Sequence, residues 1–300
     1  MTATSLLEAR GLRTGYGRLP VVFNVDLEVR EGEIVALLGA NGAGKTTTLR
    51  ALSGMLPLMA GDVALGGTSL KGRPPNAIAR NGIVHVPQGR GIFPTLRVDE
   101  TLRLAGAMAG IRRSEAESRI TDVYTIFERL YERRTQLAGT LSGGEQQMLA
   151  IARGLIMKPR LLMIDEMSQG LAPTIVQGLF DIVRSLPGQG VSVLIVEQFV
   201  THALAVASRA YVLEKGEVAF DGTAAQLARD EAFVKGSYLG DAADVDDATE
   251  VRIDDTADLP LHADGLLETI EERAAQEGRD AAAVLLDLLR AAIDKPGGAS

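Results

Sequence analysis

The chain of 300 residues has no cysteine. That excludes disulfides and thiolate metal sites and suits a reducing compartment. No apolar run approaches the roughly 18 residues that a membrane-spanning helix needs. The start, Met1-Thr-Ala-Thr-Ser-Leu-Leu7, has neither a basic region nor a long apolar stretch, so no leader is expected there and no direct membrane insertion. Positive charge is also short. Against 39 Asp and Glu stand 31 Lys and Arg, a net −8, which argues against nonspecific binding to nucleic acid or anionic lipid. No internal repeat is present, and each motif described below occurs once, so a tandem fusion is excluded. What the chain does have is 46% apolar residues, enough for a sizeable core in one large domain or two smaller ones.

Gly39, Ala40, Asn41, Gly42, Ala43, Gly44, Lys45 and Thr46 fit the pattern G-x-x-x-x-G-K-[ST]. Ile34-Val-Ala-Leu-Leu38 before it reads as a buried strand, and Thr46-Thr-Thr-Leu-Arg-Ala-Leu52 continues as a helix. Glycines there let the backbone approach phosphates closely, and the helix N-terminus presents unpaired N–H groups to an anion. Lys45 is expected to reach the β- and γ-phosphates of ATP, with Thr47 lining the site and the Thr46 hydroxyl ligating Mg²⁺. Further on, Leu161-Leu-Met-Ile-Asp-Glu166 reads as a buried strand. It delivers two carboxylates to the carboxyl edge of a parallel sheet, where ligands bind in open α/β folds. Asp165 is expected to hold Mg²⁺ and Glu166 to orient or deprotonate the attacking water.

About twenty residues before these acids, Leu141-Ser-Gly-Gly-Glu-Gln146 resembles the signature motif of the ATP-binding cassette ATPases. By itself, Ser142-Gly-Gly144 is an ordinary helix start: Ser142 is a good N-cap, and Glu145 to Ile156 runs on as a helix pattern. The resemblance implies more. It implies an α/β fold with a P-loop NTPase parallel-sheet core, an antiparallel β edge and a helical subdomain carrying the signature. It also implies that Ser142, Gly143, Gly144 and Glu145 of one molecule are offered to ATP held by another. On the same grounds Tyr16 matches the aromatic that stacks on adenine. Gln88, after Ile83-Val-His-Val-Pro87, matches the glutamine that senses Mg²⁺ and the lytic water where membrane subunits press. Ser168-Gln-Gly-Leu-Ala-Pro173 matches the loop that crosses between two ATPases. Met167 stands where a proline is common, a change expected to alter loop stiffness more than chemistry.

After the strand Val191-Ser-Val-Leu-Ile-Val196, most members of the family place a histidine against the γ-phosphate, and here Gln198 takes that position. An amide can donate a hydrogen bond but carries neither proton nor charge. His202, a helical turn on, reads as a surface residue. Glu197-Gln198, Gly170-Leu-Ala-Pro173, Ala210-Tyr-Val-Leu-Glu-Lys-Gly-Glu217 and Ser237-Tyr-Leu-Gly240 are together similar to one of the two ATPases of branched-chain amino acid importers. The likeness runs over about residues 6–240 and implies a second, different ATPase subunit, two integral membrane permeases and an extracytoplasmic substrate-binding protein. The location it implies is the cytoplasmic face of the inner membrane. Importers of urea and short-chain amides have a very similar subunit, and a soluble cassette ATPase acting on nucleic acid or ribosomes is the remaining alternative.

Strands are predicted around Leu6 to Val29 as the antiparallel edge carrying Tyr16, and the core from Gly32 to about Pro87. Helices are predicted between Phe93 and Gln136, within a helical subdomain of about 93–155, and alternating strands and helices from Leu161. Residues 1–240 thus form the ATPase domain. Residues 241–262 read as an acidic, solvated linker, and 263–300 as an extension of two amphipathic helices broken near Gly278.

Overall fold

The computed structural model describes residues 4–197 and 200–230. The boundary near residue 240, the acidic linker and the amphipathic extension lie outside the described residues, as does Gln198. Strands β1 (Ser5–Tyr16) and β2 (Leu19–Arg30) pair antiparallel, and β3 (Ile34–Leu38) leads into helix α1 (Lys45–Leu52). Then come β4 (Leu58–Leu65), β5 (Thr68–Ser69), α2 (Pro75–Arg80) and β6 (Ile83–Val86). Four helices follow: α3 (Val98–Met108), α4 (Arg113–Ile126), α5 (Glu128–Glu132) and α6 (Gly143–Leu155). The chain returns to alternation with β7 (Leu161–Asp165), α7 (Pro173–Ser185), β8 (Ser192–Val196), α8 (Val200–Val206), β9 (Arg209–Glu214), β10 (Glu217–Thr223) and α9 (Ala224–Ala228).

Two sheets result: a four-stranded one in the order β2-β1-β4-β5 and a six-stranded one in the order β10-β9-β3-β8-β7-β6. In the larger sheet β9, β3, β8, β7 and β6 are parallel. Its middle strands are apolar throughout because both faces are covered. Ala36, Leu38, Leu162, Ile164, Val193 and Ile195 join the helical side with α3, α6 and α7. Their neighbours Val35, Leu37, Leu161, Met163, Leu194 and Val196 join the other side, with α1 and the four-stranded sheet. Period-two alternation therefore sends each strand into two separate cores.

The structure corrects two expectations. Residues 58–69, assigned above to the core segment, belong to the antiparallel sheet, where β4 pairs with β1. Val63 and Leu65 are buried in that pairing while Met59 stays exposed. The alternation from Leu161, which marks a parallel sheet, holds through β9 and ends at β10, which pairs antiparallel with β9. Lys215 and Gly216, at φ 50° and 83°, supply the positive dihedrals that a tight hairpin with right-handed strand twist requires.

Candidate nucleotide site

The loop 39–44 leaves β3 at the carboxyl edge of the parallel sheet, and its first residue is pressed against another strand. A Cβ on Gly39 would stand 2.3 Å from the carbonyl oxygen of Leu213, and its φ is +145°, so only glycine fits. The N-cap of α1 is Gly44 at φ 103°, with no side-chain cap and no acid in the first turn. The first N–H groups of the helix find no carbonyl one turn back. They open on a cavity of about 370 Å³ lined by Val21, Asn41, Gly42, Gly44, Lys45, Thr46, Thr47, Gln88, Glu166 and Gln169.

Lys45 is 5% exposed, and its Nζ donates to the carbonyls of Gly39 at 2.8 Å and Ala40 at 3.1 Å. Burial lowers its pKa, and the charges of Glu166, Asp165 and Glu197 oppose that shift. Across from it, β7 delivers Asp165, 1% exposed, whose Oδ1 accepts from the Thr46 hydroxyl at 3.2 Å. Burial raises the Asp165 pKa, Glu166 adds to that, and Thr46 and Lys45 counteract it. Glu166 turns the chain out of the strand at φ 48°, a sparsely populated conformation for a residue with a side chain. Its backbone N–H donates to the Val196 carbonyl at 2.9 Å. Gln88, two residues beyond β6, donates through Nε2 to Glu166 Oε2 and to Gln169 Oε1, both at 2.8 Å.

The predicted residues therefore fall into two groups. Gly42, Gly44, Asn41, Lys45, Thr46, Thr47, Gln88 and Glu166 line one cavity, and Asp165 touches it through Thr46. Tyr16 is not among the lining residues; it is 46% exposed at the end of β1, where its hydroxyl accepts from Arg50 Nη1 at 2.9 Å. Ser142, Gly143, Gly144 and Glu145 also lie apart from this cavity, at the start of α6. There Glu145 Oε2 accepts from the backbone N–H and the hydroxyl of Ser142, each at 2.9 Å, and Ser142 Oγ accepts from the Glu145 N–H at 3.3 Å. Burial raises the Glu145 pKa, but the two Ser142 bonds and the charges of Arg133 and Arg129 prevail and hold it below the ordinary carboxylate value.

Three residues gain roles that the motifs did not reveal. Gln169 shares Gln88 with Glu166; its position in the loop after the two acids was the available signal. Val21, one apolar residue on β2, lines the cavity with no sequence signal at all. Met167 is 1% exposed within the helical-side core, so it anchors the loop by packing as well as replacing a stiff residue. His202, read as a surface residue, is half-buried and its ring stacks on Phe180 with centroids 5.5 Å apart.

The donor set around Thr46 and Asp165 is all oxygen, which suits Mg²⁺. Among the described residues no group of three or more His, Cys, Asp or Glu could hold a metal ion. Mg²⁺ bound through one or two protein oxygens and the phosphates of its substrate needs no such cage. Among the same residues no helix is long and apolar enough to cross a membrane.

A phosphate-binding loop, a strand-end carboxylate pair and a capped glycine-rich helix on a mixed two-sheet scaffold define a nucleotide-hydrolysing cassette. The ABC transporter family matches the chain over residues 22–169. Over 227 residues the chain is 44% identical to the high-affinity branched-chain amino acid transport ATP-binding protein BraG of Pseudomonas aeruginosa, covering 76% of this chain and 96% of that protein. Over 231 residues it is 36% identical to the probable branched-chain amino acid transport ATP-binding protein LivF of Archaeoglobus fulgidus, covering 77% and 97%. A solved ATP-binding subunit of an ABC transporter superposes with a TM-score of 0.68 at 28% identity, covering 78% of this chain and 98% of that one. The chain belongs to the ABC transporter family, among its ATP-binding and ATP-hydrolysing subunits, which work with membrane permeases.

Proposed function

We propose that this chain powers the import of leucine, isoleucine and valine. In this reading two cassettes close on ATP, with a second, different ATPase subunit as the partner. The 44% identity to BraG across nearly all of that protein supports the solute class. The convergence of Lys45, Thr46, Gln88 and Glu166 on one cavity carries the hydrolytic part.

Residues 39–47 hold the triphosphate, Lys45 by charge and the N–H groups of α1 by direction. Tyr16 packs on the adenine. Thr46 and Asp165 hold Mg²⁺, which when bound neutralises charge on the phosphates. Glu166 orients the attacking water and accepts its proton, and Gln88 fixes the carboxylate through Oε2. Gln198 donates to the γ-phosphate. Ser142, Gly143, Gly144 and Glu145 of one subunit close over the nucleotide of the other, so ATP binding is converted into movement of the permeases. An extracytoplasmic protein delivers the solute, and the complex sits at the cytoplasmic face of the inner membrane. Residues 1–240 form the ATPase domain, with its helical subdomain at about 93–155, a linker at 241–262 and an extension at 263–300.

The proposed permease contact starts at the end of β6, two residues before Gln88. A groove of about 370 Å³ runs between β6, α2, α3 and α6 and includes Phe93, Leu104, Met108 and Met157. Phe93 and Met108 are 43% and 69% exposed, an apolar surface suited to a helix laid into it.

The test is uptake of labelled leucine, isoleucine, valine and urea in cells lacking the chain, complemented by the wild type or by Glu166→Gln. Branched-chain uptake should vanish on deletion and return with the wild type alone. Turnover of the variant should fall about 10²- to 10⁴-fold, the range for loss of a general base. Loss of urea uptake alone would discard the solute assignment, and recovery of the tagged chain with ribosomes or DNA in place of membrane proteins would discard transport.

A further inference from the structure

Glu166 to Gln169 form the segment that brings the hydrolytic carboxylate and its companion glutamine to the cavity. That segment is fastened at two points, to the last residue of β8 and to the residue after it. At Glu166 the fastening is a backbone bond to the Val196 carbonyl. At Ser168 it is a buried carboxylate. Glu197, the residue after β8, is 1% exposed and Ser168 is 2% exposed. Glu197 Oε1 accepts from the Ser168 N–H at 3.2 Å, and Oε2 accepts from the Ser168 hydroxyl.

A buried carboxylate is costly unless its oxygens are engaged, and an apolar residue of similar volume is often no worse for stability. The burial of Glu197 is therefore best explained by what it holds. Ser168 stands two residues after Glu166 and one before Gln169, and those two side chains receive both bonds from Gln88 Nε2. Between the two fastenings Glu166 keeps its φ of 48°, a conformation that persists only where its surroundings impose it. We infer that Glu197 is a positioning residue for hydrolysis: by holding Ser168 it sets Glu166 and Gln169 about Gln88. The inference rests on the proposed role of Glu166 and adds a residue that does not line the cavity.

The test is ATP hydrolysis by the full-length chain purified with its membrane partners, resolved into kcat and KM. Glu197→Ala should lower kcat about 10²-fold, the effect of a displacement near 1 Å at a reacting group. KM should change by less than kcat does, because Glu166 and Asp165 still oppose the Lys45 shift when the charge of Glu197 is gone. Glu197→Gln should recover activity to within about tenfold of wild type, since its oxygen can accept from the Ser168 N–H while its amide donates to Ser168 Oγ. Combining Ser168→Ala with Glu197→Ala should cost no more than Glu197→Ala alone. Should Glu197→Ala not fold, Ser168→Ala carries the same kcat and KM comparison with a smaller fall. Wild-type kcat in Glu197→Ala or Ser168→Ala, with only a lowered Tm, would overturn the inference. Glu166→Gln in the same assay separates the two readings: unchanged turnover there sinks the role of Glu166 itself.

Discussion

Helices α1 and α6 both begin at glycine-rich turns, and they begin in opposite ways. The N-cap of α1 is Gly44 in a left-handed conformation, with no side-chain cap, no acid in the first turn and a buried Lys45 as its first residue. Helix α6 has Ser142 as N-cap in an extended conformation, and a capping box closed by Glu145. Arg133 and Arg129 stand 3.6 and 4.0 Å from the Glu145 carboxylate. For an isolated helix the first arrangement is poor, since positive charge meets the positive end of the dipole and its N–H groups go unpaired. For a helix that binds phosphate it is favourable, because the ligand supplies what the sequence withholds. Helix α6 has its N-terminal turn capped from within the chain at Ser142 and Glu145, and so does not depend on a ligand to start. Glycine content alone does not separate the two starts; the cap does, since α6 carries its own and α1 leaves that role to a ligand.

Removing the charge that sets α1 apart should have the largest effect on this contrast. Lys45→Ala is expected to weaken ATP binding by the full-length chain about 10- to 100-fold, the value of a hydrogen bond to a charged group. Titration calorimetry checks this. An unchanged Kd would mean that the helix end and loop bind without the ammonium, and the contrast with α6 would then rest on backbone geometry alone.

A smaller effect is expected from a methyl group at the start of α6. Gly144 is buried against α7, and a Cβ there would stand 2.3 Å from Ile175 Cγ2. Gly144→Ala should therefore destabilise the fold by about 1–2 kcal/mol, as overpacking outweighs the helix propensity gained. Gly178 lies within α7 and has nothing within 4 Å of a Cβ. The same change at Gly178 should stabilise by up to about 1 kcal/mol. Urea denaturation of both variants reads the two signs. Equal signs would show that Ile175 moves aside and that the start of α6 is loosely packed.

The two helix starts were also unequally legible. The site at α1 could be read because its strand is five buried apolar residues bounded by glycine, and because each position in the loop has a separate job. The start of α6 could be read as a cap from Ser142 and Glu145, but its function came through resemblance. Strand β4 was placed in the wrong layer because its alternation is broken at Gly61 and its partner β1 lies some fifty residues earlier. The meeting of Gln88 with Glu166 joins residues 78 apart, so local pattern could not show it. Glu197 entered the sequence reading only as part of a stretch shared with the importer ATPases, with no role of its own. Only the neighbouring loop reveals what its two oxygens hold.

The smallest effect, and the one that sharpens the contrast most, concerns the cap itself. Glu145→Ala removes the reciprocal half of the capping box and should cost about 1 kcal/mol at neutral pH. The dependence on pH follows from the direction of its shift. The folded pKa of Glu145 lies below the ordinary 4.5, so the unfolded chain binds the proton more readily than the folded one. Its contribution is therefore complete above the unfolded value and is lost as pH falls through the lower, folded value. The stability gap between wild type and Glu145→Ala should be flat from pH 7 down to the ordinary carboxylate range and close below it. Thermal unfolding across that range checks the shape. A gap that persists in acid would mean that Glu145 acts by packing and not by charge, and the start of α6 would then resemble α1 in lacking an electrostatic cap.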